Sequence, residues 1–222
     1  MKFKIDLKIF LFIILFYFTK QIQIYALIMI FALIHELGHL LAGILSGMKP
    51  ERMEIKPYGV SISFKLFPKD YNQKIKKGNK LELKKIIVAL AGPLTNILII
   101  LIAKTMQIEE TTKNTIIYSN ILLAIFNLFP IYPLDGGRII KSILHILCGK
   151  QKAEKYINNI SFIFLMLLTL ISSILVYKLE NIAIFLIIII LWIIFLIEDI
   201  KYKRRNEIYK LVEKTIEINK NK

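Results

Sequence analysis

The chain has 222 residues, is 56% hydrophobic and has a mean hydropathy of +0.59, values that exclude an ordinary soluble domain and point to an integral membrane protein. Its 31 Lys and Arg against 16 Asp and Glu leave a net charge of +15, but the basic residues sit between apolar runs, as membrane topology requires, so nucleic acid is not the expected partner. A single cysteine, Cys148, excludes an internal disulfide and a multi-cysteine metal site.

The first apolar run, 5–19, comes with Lys2, Lys4 and Lys8 and is followed by Thr19-Lys20-Gln21, not by a small-residue cleavage site. It reads as a membrane helix and not as a removable signal. A second run, 23–48, carries His35-Glu36-Leu37-Gly38-His39 and no other acidic or basic side chain before Lys49. Ionisable groups at membrane depth are costly and mark functional sites. Residues four apart share one helix face, so His35 and His39 can direct imidazole nitrogens at one Zn²⁺. Glu36 then stands beside the metal, placed to act as general base.

Beyond it, Met53, Ile55 and then Val60, Ile62, Phe64 alternate with polar residues around Tyr58-Gly59. That alternation predicts a short hairpin at the membrane surface, followed by a polar loop over 68–83. Further membrane helices are predicted at 84–104, 114–134, 158–177 and 182–198. Trp192, in the last of these, reads as lipid-facing packing, and the tail after Lys201 as a short basic amphipathic helix on the anionic inner leaflet.

With the N-terminus in the cytoplasm, all Lys and Arg except Lys20, Lys104, Lys113 and Lys178 fall on the inside. This asymmetry predicts six spans with both termini cytoplasmic, in a multi-pass protein of the cell membrane. The expected fold is therefore an all-α polytopic bundle of about six membrane helices with a small surface β-hairpin. His39 lies about nine residues before the cytoplasmic end of its span, or roughly 13 Å below the surface at 1.5 Å per residue.

A catalytic zinc usually takes three protein ligands and leaves one position open. Asp135 is the one acidic side chain set deep in another span, within Asn127-Leu128-Phe129-Pro130-Ile131-Tyr132-Pro133-Leu134-Asp135-Gly136-Gly137. Two prolines and two glycines cannot continue a regular helix. Broken backbone at membrane depth is tolerated where protein covers it or a wet cavity adjoins it. Both spans run outside to inside, which brings Asp135 to a depth comparable with that of His39.

The HExxH helix, the later N-x₂-P-x₂-P-L-D-G segment and the intervening Ala91-Gly92-Pro93-Leu94-Thr95-Asn96 together resemble the site-2 protease family of intramembrane zinc metalloproteases, peptidase M50. The resemblance covers about 22–140, and the lack of an insertion between catalytic spans is most similar to the stage IV sporulation protease FB branch. It implies an intramembrane metalloprotease domain over 1–200 with a basic cytoplasmic tail at 201–222. It also implies one zinc per chain held by His35, His39 and Asp135, with Glu36 as catalytic base. Asn127 is implied to orient substrate or stabilise the oxyanion, and Gly92 and Asn96 to line the substrate path. The implied reaction is cleavage of a membrane-embedded or membrane-associated protein, such as a pro-sigma factor, near its cytoplasmic side, with a membrane inhibitor protein as a further partner.

Helical substrates resist proteolysis because their carbonyls are tied up. The strand bearing Val60, Ile62 and Phe64 is therefore the expected dock for an extended substrate, by strand addition. Two other classes of protein fit these residues less well. A metal transporter needs polar residues towards the outer face, where the second and fourth spans offer little beyond Tyr25, Ser119 and Asn120. A catalytically inactive membrane-binding relative has no reason to keep Glu36. A prenyl-protein-type protease would need a glutamate as third ligand, and no suitable one is present.

Overall fold

The computed structural model describes residues 2–5, 8–18, 22–56, 59–65, 75–179 and 183–220, which form two compact units, Met1–Phe129 and Pro130–Lys222. The first unit holds β1 (Lys2–Ile5), α1 (Lys8–Phe18), α2 (Ile22–Leu45), β2 (Lys49–Lys56), β3 (Gly59–Lys65), α3 (Ile75–Thr105) and α4 (Glu110–Asn127). The second holds α5 (Asp135–Cys148), α6 (Lys150–Leu179) and α7 (Ala183–Lys220).

In the first unit α2 packs along α3, and α3 along α4. Small residues set the approach. A side chain at Gly38 would collide with the Thr95 hydroxyl, which itself donates to the Ala91 carbonyl at 2.8 Å. Close approach through small residues is how apolar helices gain contact where lipid offers no hydrophobic drive. Pro93 lies inside α3, and the helix continues through it.

The expected hairpin is present. β2 and β3 run antiparallel with Met53 opposite Ile62 and Ile55 opposite Val60. The period of two puts Met53, Ile62 and Phe64 on one face. That face turns towards α2: Met53 is buried, and the Phe64 ring fills the space where a side chain at Gly43 would stand. A third strand was not anticipated. β1 pairs parallel with β2, from Lys2 opposite Arg52 to Ile5 opposite Ile55. Its four residues merge in sequence with the apolar run that follows, so the helix expected at 5–19 is shortened to Lys8–Phe18. At 1.5 Å per residue those 11 residues reach about 16 Å, well short of a hydrocarbon core of about 30 Å.

Within the second unit α5 packs on α6 and α6 on α7. Trp192 does not simply face lipid as the sequence suggested. It is half-buried, its indole N–H donates to Thr169 Oγ1 at 3.0 Å, and its ring meets Phe162 and Phe195 edge-on with centroids 5.9 Å apart. An indole N–H surrounded by apolar helices needs such a partner. Past the apolar run, Asp199 accepts from Asn158 at 2.9 Å and pairs with Lys203 at 2.7 Å. Burial alone would raise that carboxyl, yet these hydrogen bonds hold it below its ordinary value. The basic tail is also not a separate helix: α7 runs unbroken from Ala183 to Lys220.

Three helices among the described residues are long and apolar enough to cross a membrane: Tyr25–Leu45, Asn79–Thr105 and Lys150–Tyr177. The span expected at 114–134 is a helix that stops at Asn127, after which the chain turns and restarts as α5 at Asp135. The polar loop at 68–83 lies outside the described residues up to position 74, and the remainder opens α3.

Candidate metal centre

The five residues from His35 to His39 lie well inside α2, ten residues or more from its start at Ile22. His35 and His39 are 4% and 2% exposed, and their Nε2 atoms face each other at 3.1 Å. Two imidazole lone pairs cannot sit that close unless a proton or a cation lies between them. A tetrahedral zinc with Zn–N of about 2.0–2.1 Å would set its two nitrogens about 3.3 Å apart, so the pair fits the ion.

The tautomer is set from behind. His39 Nδ1 lies 2.6 Å from the Val88 carbonyl of α3, and a carbonyl can only accept, so Nδ1 carries the hydrogen. Nε2 is thereby left with its lone pair directed at His35. Metal-binding histidines usually have their other nitrogen held in this way, and losing that hold costs about 10–100-fold in metal affinity. A backbone carbonyl has no sequence signature, which is why the role of Val88 was not foreseen.

Gly92, expected to line the substrate path, sits directly on the imidazole pair. A Cβ there would collide with His39 Cε1 and Nε2 and with His35 Nε2. Glycine is required for close approach and not for backbone conformation. Helix propensity alone would favour Gly92→Ala by about 1 kcal/mol. The collision reverses this expectation: Gly92→Ala should weaken zinc binding by about tenfold or more, the scale set by lost support of a ligating histidine. Chelator competition on the purified chain measures it, and unchanged affinity would show that the imidazoles do not occupy their structural positions when metal binds.

Glu36 follows His35 on α2 and is half-buried. One helical turn beyond Gly92, Asn96 is fully buried, and neither its Nδ2 nor its Oδ1 has a hydrogen-bond partner among the described residues. Asn127, at the end of α4, is half-buried and donates through Nδ2 to the Leu123 carbonyl at 2.9 Å. Ile62 and Phe64 are half-buried on the sheet, whereas the side chain of Val60 lies outside the described residues.

Asp135 belongs to the second unit, where it opens α5 and is 3% exposed. A carboxylate in the first turn is favoured by the helix dipole, and Arg138 lies 3.5 Å away, one turn on. The preceding segment folds back on α5. The Leu134 N–H donates to the Ile131 carbonyl at 2.8 Å, and a Cβ at Gly137 would lie 2.5 Å from Ile131 O and from Tyr132 N. The expected break thus delivers an acid to a helix start.

The Peptidase family M50 model matches residues 23–110 and 103–168, and the chain belongs to that family. It is 29% identical to a zinc metalloprotease of Methanocaldococcus jannaschii over 62% of this chain and 39% of that protein. It is 25% identical to Stage IV sporulation protein FB of Bacillus subtilis over 68% of this chain and 50% of that protein. The chain thus spans half or less of the length of these two relatives. A solved structure, the site-2 protease from Methanocaldococcus jannaschii, superposes with a TM-score of 0.62 at 23% identity, covering 87% of this chain and 89% of that one; it shares the fold.

Proposed function

We propose that the chain is a membrane-embedded zinc endopeptidase in which His35, His39 and Asp135 hold one zinc ion and Glu36 is the general base. The observation that carries this reading is the buried pair of imidazole Nε2 atoms 3.1 Å apart, with Glu36 adjacent in sequence, in a chain of family M50. Zinc, when bound, supplies a Lewis acid that polarises the scissile carbonyl and brings the pKa of a water to about 7. Glu36 takes the proton from the attacking water and delivers it to the leaving amine nitrogen. Asn127 spends one amide N–H on Leu123, and its second N–H is available to a developing oxyanion. Asn96 has an unmet donor and an unmet acceptor, whose burial costs about 1–3 kcal/mol unless something satisfies them. An extended substrate main chain offers the complementary pair.

The charge distribution supports about six membrane-embedded helical segments with both termini cytoplasmic, and cleavage then falls near the cytoplasmic side of a membrane-embedded or membrane-associated protein. The match to Stage IV sporulation protein FB favours a sporulation role, with a pro-sigma factor as substrate and a membrane inhibitor protein as regulator. Substrate docks by adding a strand beside β3, which lies at one edge of the sheet order β1-β2-β3. The test is cleavage of a membrane-tethered reporter by the full chain in lipid bilayers. Ile62→Pro, which removes a main-chain donor from that strand, should lower cleavage about fivefold, as one lost hydrogen bond of about 1 kcal/mol would. Zinc content should stay unchanged. An active Ile62→Pro chain would remove the docking step and leave the zinc chemistry standing.

A further inference from the structure

The mechanism does not use Tyr132, yet the second unit holds it at two points. Its backbone N–H donates at 2.9 Å to Ser161 Oγ on α6, a serine that is completely buried. Its ring lies beneath the Lys141 ammonium, 4.3 Å from the centroid. Lys141 is itself held 3.8 Å from the Glu154 carboxylate, which also accepts from Arg205 Nε of α7 at 3.4 Å. Glu154 is 6% exposed, so these charges meet where water screens them weakly.

Tyr132 stands three residues before Asp135, in a segment between two prolines that lies against Gly137. A loop at this position has few backbone partners of its own: of its amide groups, Pro130 and Pro133 have no N–H to donate. Ser161 supplies an acceptor to the loop from a different helix. Lys141, about one and two-thirds turns along α5 from Asp135, lies over the ring.

We propose that Ser161 and Lys141 form a clamp on Tyr132 that fixes where Asp135 presents its carboxylate, making both positioning residues for the metal. The proposal rests on Asp135 being a zinc ligand. Neither clamp residue touches the metal or the substrate; each acts through the loop. A ligand held by a supported backbone loses less freedom on binding, which is why residues behind a metal ligand tune affinity by about 10–100-fold. Ser161→Ala removes the acceptor, and Lys141→Met removes the cation while keeping an apolar stem over the ring.

The experiment measures zinc affinity by chelator competition, together with the thermal unfolding midpoint, on the full chain in detergent or bilayers. Ser161→Ala and Lys141→Met should each weaken zinc binding by about tenfold. Ser161→Cys, which keeps a weak acceptor, and Lys141→Arg, which keeps the cation, should each recover part of the loss. Lys141 is half-buried, so its variants remain informative should Ser161→Ala fail to fold. A lowered unfolding midpoint with unchanged zinc affinity in both variants would make the clamp structural only and overturn the proposal. Asp135→Asn, measured alongside, separates the two failures. If it too leaves zinc affinity unchanged, the ligand assignment is wrong and the clamp has nothing to position.

Discussion

Glu36→Gln should keep one zinc ion per chain and lose cleavage of a membrane-tethered reporter by about 10²–10⁴-fold, the usual contribution of a positioned acid–base group. The amide is nearly isosteric with the carboxylate, so α2 keeps its packing and the imidazole pair keeps its 3.1 Å spacing. What disappears is the proton acceptor. Metal analysis and reporter cleavage on the same preparation check both halves. A Glu36→Gln chain that loses its zinc would make Glu36 a ligand, and one that cleaves at the normal rate would make it a bystander.

Asp135→Asn has the opposite signature. The site would keep two imidazoles and lose its one anionic ligand. A neutral amide oxygen is a poor substitute beside a divalent cation, so zinc should dissociate at least 100-fold more readily, beyond the range of lost outer support. Cleavage falls with the metal and returns in part at high zinc concentration. Zinc content after dialysis against a weak chelator measures this. Full retention would remove Asp135 from the ligand set.

Much of this site was legible because its chemistry is local. A four-residue spacing on a helix fixes a shared face, so His35 and His39 could be paired from sequence, and Glu36 falls beside them by the same geometry. Asp135 stood out because Pro130, Pro133, Gly136 and Gly137 cannot sit inside an uninterrupted helix, and α5 does begin at Asp135. The hairpin followed from a period-two alternation that admits no helical reading. Other features depended on three-dimensional neighbours. The close approach of Gly92 to the imidazole pair depends on which side chains α2 presents to α3. The Val88 carbonyl and the Ser161 hydroxyl work through main-chain hydrogen bonds that leave no pattern in the sequence. The strand Lys2–Ile5 was hidden because four alternating residues beside an apolar run look like the start of that run. Trp192 looks lipid-facing in the sequence because composition cannot say which side of a helix meets a neighbour whose hydroxyl can accept its N–H.

The most direct test of the zinc assignment is the zinc K-edge absorption fine structure of the purified full chain in bilayers, loaded with one equivalent of metal. The expected spectrum shows two imidazole rings at about 2.0–2.1 Å and oxygen scatterers at about 2.0–2.2 Å, with no sulfur. A single imidazole, a sulfur scatterer at about 2.3 Å, or failure of the chain to retain the metal would contradict a zinc centre built from His35, His39 and Asp135.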